Sequence, residues 1–143
     1  MRDDHFHKLE RMYASAPINR FYKPALTVTE GAAELVIPVG EHLFHAANAV
    51  HGGVYAKAID DAAYFAVNSL VTDVFVLTVH LDMTFIRPIS SGEIRAEGRV
   101  TFASESLFHA GTILHDAAGR EIGRGSGVFV RGKVPLTPAI GYA

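Results

Sequence analysis

The residues most able to do chemistry sit in one run: His51-Gly52-Gly53, followed in the same helical pattern by Asp60 and Asp61. The first amides of a helix have no internal partner, and the aligned peptides place about half a positive charge there. Because Gly52 and Gly53 carry no side chain, a carbonyl oxygen can rest against the Gly53 amide and be stabilised as negative charge develops on it. The competing explanation is a tight loop that only starts a helix. Asp60 shares a helix face with Ala56, Ala63, Tyr64 and Val67, an apolar setting that raises a carboxyl pKa and its basicity. Asp61 has Lys57 one turn before it and Asn68 two turns after. That predicts a solvated face and an i,i+4 ion pair of roughly 0.3 kcal/mol.

Gly53 and Asp60 are seven residues apart, or about 10 Å at the rise of a helix. An oxyanion donor and a base must each lie about 3 Å from one reacting carbonyl. One helix therefore cannot supply both groups to one substrate. If both act, Asp60 comes from a second copy of the chain with the two helices side by side and antiparallel, a two-fold dimer with two shared sites.

The helix carrying these residues is predicted over 51–70, with Ala58, Ile59, Ala62, Ala63, Ala66, Val67 and Leu70 at three- and four-residue steps forming a buried face. Its small side chains let a curved sheet come close. Before it, Phe6, Leu9, Met12 and Tyr13 predict an amphipathic helix over a sheet edge. Two strands, at 26–29 and 33–39, then turn about Glu30-Gly31, with Pro38 marking an end. A loop over 40–50, holding His42, His45 and Asn48, leads to the central helix.

After that helix, Phe75, Leu77, Val79, Leu81, Met83 and Phe85 alternate with Val76, Thr78, His80, Asp82 and Thr84. The alternation predicts a strand with the first set in the core and the second on a polar face. Further strands are expected at 94–102, 107–115 and 121–131, with Gly119 left-handed in the last hairpin. Gly123, Gly125 and Gly127 share one face of the last strand, where the helix comes close. No helix follows these glycines, so they do not read as a phosphate cradle. The whole is a single α+β domain over 1–143: a helix at about 3–15, a core at about 24–131, a tail at 132–143, and an antiparallel sheet wrapped around one long helix.

Composition narrows the partners. The 143 residues are 49 % hydrophobic and 20 % charged, with a formal net charge of −2, which gives no electrostatic reason to expect nucleic acid or an anionic membrane. With no cysteine, disulfide and thiolate chemistry are excluded. A charged N-terminal stretch and the absence of an unbroken apolar span lead us to expect a cytoplasmic protein without membrane attachment.

The set His51-Gly52-Gly53 with Asp60, then Thr78-Val-His-Leu-Asp-Met-Thr-Phe-Ile-Arg-Pro88, Ser91-Gly92 and the late Gly-Arg-Gly-Ser-Gly-Val-Phe run, gives a strong combined resemblance over about residues 44–130. The chain resembles the hotdog-fold acyl-CoA thioesterases, in the phenylacetate-degradation (PaaI-like) branch of the 4-hydroxybenzoyl-CoA thioesterase superfamily. The resemblance implies hydrolysis of an acyl-CoA thioester to free acid and coenzyme A, by a homotetramer built from dimers, without metal or prosthetic group. It implies that Asp60 is the catalytic carboxylate, as nucleophile or as general base on water. Gly53 falls at the oxyanion amide beside Gly52. His51 matches the histidine before the glycines, with the tasks of fixing the loop and contacting the thioester. His45 stands where many relatives carry an asparagine and Asn48 lies nearby, so either can orient the attacking water. Thr78 matches a family serine or threonine, but its strand parity turns it away from its own helix, so either it acts across a subunit boundary or it is simply part of the strand's polar face.

Three rivals stay open. A hotdog hydratase or dehydratase uses the same histidine and acid, yet Ala46-Ala-Asn-Ala-Val-His51 lacks the proline-rich motif of that group. A non-catalytic acyl-CoA binding module would use the same pocket without cleavage. A metal site at His42, His45 and His51 fits no zinc spacing.

Overall fold

The computed structural model describes residues 2–143, and its central element is helix α3, Gly52–Asn68. Ala58, Ile59, Ala62, Ala63, Ala66 and Val67 have no exposed surface, as the three- and four-residue spacing predicts. Small side chains let the sheet approach the helix backbone itself. A β-carbon added at Gly98 would lie 2.2 Å from the Ala62 carbonyl oxygen, so only glycine fits there.

The sheet has six antiparallel strands: β1 (Ala25–Thr29), β2 (Ala32–Pro38), β3 (Val74–Phe85), β4 (Glu93–Ala103), β5 (Leu107–His115) and β6 (Glu121–Pro135). Their spatial order is β1-β2-β4-β5-β6-β3. This is the hotdog arrangement, an antiparallel sheet packed around one long helix. Helix α1 (Arg2–Ser15) lies against edge strand β1, where Leu9 and Met12 are buried, each such side chain contributing about 1.5–3 kcal/mol. A short helix α2 (Asn19–Tyr22) follows, which the sequence pattern had not indicated. Gly119 takes its expected left-handed conformation, φ 85°.

Three expectations are corrected. Helix α3 ends at Asn68, and Leu70 is 37 % exposed. Asn68 is fully buried, not solvated: its amide donates to the Val71 and Val74 carbonyls and accepts from the Val76 N–H, so it ties the helix to β3. The second correction concerns β3 itself. Val76 is buried while Leu77 and Val79 are 50 % and 60 % exposed, because a bulge interrupts the alternation. Thr78 pairs with Phe129 and Leu81 with Gly127; Phe129 and Gly127 lie two apart on β6 and so on one face, which makes Val79 the extra residue. Thr78 therefore faces the helix, as does Leu81 beyond the bulge. Third, residues 132–135 extend β6, and a 3₁₀ turn, Pro138–Ile140, continues the chain onto the core where a tail was expected.

Candidate active site

Asp60 and Asp61 are adjacent in sequence but have different surroundings. Thr78 donates its hydroxyl to Asp60 Oδ1 at 2.8 Å. Desolvation raises the Asp60 pKa above the ordinary carboxylate range; the Thr78 hydrogen bond opposes this, the Asp61 charge adds to it, and the Lys57 ammonium opposes it. The residue is thus a carboxylate with enhanced basicity, oriented by one hydroxyl.

Asp61 is not on a solvated face. Its Oδ2 accepts from Lys57 Nζ at 2.7 Å, as the spacing predicted, and also from the Tyr13 hydroxyl at 2.6 Å, and its side chain is only 19 % exposed. Helix α1 covers it, a contact between residues too distant in sequence for local spacing to reveal. Burial and Asp61 hold the Tyr13 phenol protonated. Asp61 is thereby fixed as the partner of two donors, leaving Asp60 as the carboxylate aimed at open space.

That space is a cavity of about 780 Å³ whose lining includes Tyr13, Lys57, Asp60, Asp61, Tyr64, Phe75 and Thr78. Most of its other walls are apolar: Met12, Pro17, Ile18, Phe65, Leu77, Val134 and Ile140 among them. A mostly apolar cleft with a few convergent polar groups is the usual form of a small-molecule site.

The N-terminus of α3 opens elsewhere. His51, Gly53 and Val54 line a second cavity of about 370 Å³ with Phe21, Tyr22, His42 and Phe44, and the two cavities share no lining residue. His51 is the N-cap, its Nδ1 accepting from the Gly53 N–H at 2.7 Å. The Gly53 amide is therefore engaged by the cap, whereas the Gly52 amide has no partner among the described residues.

The loop residues do not reach Asp60. His45 is exposed and its Nδ1 accepts from the Ala47 N–H. Asn48 is exposed in the left-handed region, φ 63°, a conformation that asparagine tolerates better than most residues. Neither lines the Asp60 cavity. His42 packs edge-on to Phe21, and among the described residues no group of three or more histidines and acids is close enough to hold a metal. Among them, too, no helix is long and apolar enough to cross a membrane.

The thioesterase superfamily profile matches residues 47–122, a span that includes the Gly52-Gly53 turn, Asp60 and Thr78. No curated protein matches the sequence. Among solved structures, the PaaI protein of the E. coli phenylacetic acid degradation operon superposes with a TM-score of 0.85 at 16 % identity, covering 95 % of this chain and 99 % of that one. A thioesterase family protein of Silicibacter pomeroyi gives 0.80 at 22 % identity over 88 % and 98 %. Zebrafish thioesterase superfamily member 2 gives 0.79 at 18 % over 89 % and 98 %. At these identities the likeness is one of fold.

Proposed function

Because the chain belongs to the thioesterase superfamily, we propose that it hydrolyses acyl-CoA thioesters, with Asp60 of one subunit and the α3 N-terminus of a second copy forming each site. The observation that carries this reading is Asp60 itself: a carboxylate of raised pKa, held by Thr78 in a mostly apolar cavity. The separate cavities at the two ends of this helix stretch agree with the argument that one chain cannot bring both groups to one carbonyl.

The chemistry needs only water. Asp60 takes a proton from water while the water oxygen attacks the thioester carbon, or attacks that carbon itself and is freed by water in a second step. In either case the carbonyl oxygen gains negative charge against the positive end of the partner copy's α3. The Gly52 N–H is free to donate to it, and the Gly53 N–H joins by sharing its bond with His51 Nδ1. In the general-base route collapse expels coenzyme A, whose sulfur takes the proton Asp60 had accepted, and leaves the free acid. In the nucleophilic route it leaves an anhydride with Asp60 that water splits to the free acid, with the proton of that water going to the thiolate. Among loop residues, His45 or Asn48 reaches the attacking water only from the partner copy.

The edge of the sheet supports a dimer. Strand β3 is 12 residues long and unpaired on one side, and it exposes Leu77, Val79, Met83 and Phe85. Long apolar edges are covered in stable proteins. Pairing β3 with its copy sets two α3 helices antiparallel; a tetramer of such dimers and placement in the PaaI-like branch complete the proposal. The test is thiol release from aromatic, short-chain and long-chain acyl-CoAs by the wild type and Asp60→Asn at matched oligomeric state. Release that depends on Asp60 supports hydrolysis. Binding without release by either protein replaces it with an acyl-CoA binding module.

A further inference from the structure

We propose that the C-terminal turn sets the length of the acyl group, with Ile140 as the specificity-determining residue and an apolar acyl chain of limited length as the substrate class. This rests on the reading of Asp60 as the group at the thioester.

The Asp60 cavity is closed on one side by Val134, Ala139, Ile140 and Gly141. These come from the end of the chain, beyond the span that the family profile covers. The wall is fixed, not loose. The Tyr142 hydroxyl donates to His5 Nδ1 at 2.7 Å while His5 Nε2 donates to the Asn68 carbonyl, and Arg11 Nε donates to the Ala143 carbonyl. Gly141 adopts φ 92°, and a β-carbon there would lie 2.4 Å from Ser15 Oγ, so the turn is seated against α1 at a position that only glycine occupies without strain.

The lining selects which part of an acyl-CoA enters. Coenzyme A carries phosphates, yet the one cation among the described residues that line the cavity, Lys57, is already bonded to Asp61. The Tyr64 hydroxyl and Asn19 Oδ1 border the cavity without partners, but both oxygens are covered. Most of the remaining lining is apolar, with Met12, Phe65, Phe75 and Ile140 among it. The acyl chain therefore lies inside, running from Asp60 toward the turn, and the nucleotide lies outside. In an apolar pocket one methylene more or less changes selectivity by roughly tenfold or more.

The experiment measures thiol release from a graded series of straight-chain acyl-CoAs and, in parallel, affinity for the matching non-hydrolysable acyl-CoA thioethers. Wild type, Ile140→Ala and Ile140→Trp are compared. The expected result is an optimum shifted to longer chains in Ile140→Ala and to shorter chains in Ile140→Trp, by about tenfold in the long-to-short ratio, in both readouts. Thioether preferences that are the same in all three proteins overturn the inference. Shifted thioether preferences without thiol release from any protein keep the inference and remove hydrolysis, so the two failures are distinct. Should Ile140→Trp fail to fold, Ile140→Ala decides alone.

Discussion

Thr78 and Asp60, on strand β3 and helix α3, share a hydrogen bond of 2.8 Å within one chain. The hydroxyl stabilises the ionised carboxylate and so opposes the rise in pKa that burial imposes. Removing it in Thr78→Val leaves only the Lys57 ammonium to oppose burial, and the Asp60 pKa rises further. The acid limb of kcat/KM is expected to move to higher pH in Thr78→Val, with the loss of rate greatest in mild acid. A pH–rate profile of both proteins checks this, and a limb moving to lower pH contradicts the assignment.

Asp60→Asn is expected to lose at least about 10²-fold in kcat, the low end for removing an acid or base, while becoming more stable at neutral pH. The sign follows from linkage. The folded-state pKa of Asp60 is raised above its unfolded value, so its favourable contribution is complete below the unfolded value and is lost as pH rises through the folded one. The asparagine variant should therefore melt above wild type at neutral pH, with the gap closing toward acid, as read by thermal melts across pH.

Gly52→Pro removes one amide at the first helical position, where proline is well tolerated. A β-carbon there would lie 2.8 Å from the Phe85 ring, which must swing aside and, being half exposed, has room to do so. Gly52→Pro should fold and lose activity. Mixing it with Asp60→Asn by unfolding and refolding should restore part of the activity, because the mixed dimer keeps one site with both groups intact. No recovery from verified mixed dimers counts against a shared site.

Gly98→Ala places a methyl group 2.2 Å from the Ala62 carbonyl oxygen, a contact that forces helix and sheet apart. Overpacking of this kind costs about 1–3 kcal/mol or more, so the melting temperature should fall by about 4 °C or more. Differential scanning calorimetry measures it directly.

The helix pattern was legible because spacing alone defines a buried face, and Asp60 stood out because it bordered that face, beside Ala63 and Val67. The direction of Thr78 was not legible: alternation assigns every residue of β3 a side, and the extra residue at Val79 reverses the assignment halfway. The exposed Leu77 and Val79 misled for a second reason, since an apolar face looks the same in a sequence whether its own core or another surface covers it. Asp61, Asn68 and the C-terminal turn owe their places to Tyr13, the Val76 amide and His5, partners that local periodicity does not register.

The bulge in β3 has a consequence for how the gene can vary in length. Its two halves present opposite parities to the helix, and the single residue between them reconciles Thr78 with Leu81. Deleting Val79 would join Thr78 to His80 in unbroken register and leave Thr78 and Leu81 facing the helix, whereas deleting Leu77 would make Val76 and Thr78 neighbours, which cannot both face it. Loss of one codon before the bulge is thus far more damaging than the same change in the exposed turn after Asp116, and lineages of this gene should differ in length at the turn while keeping that half of the strand constant.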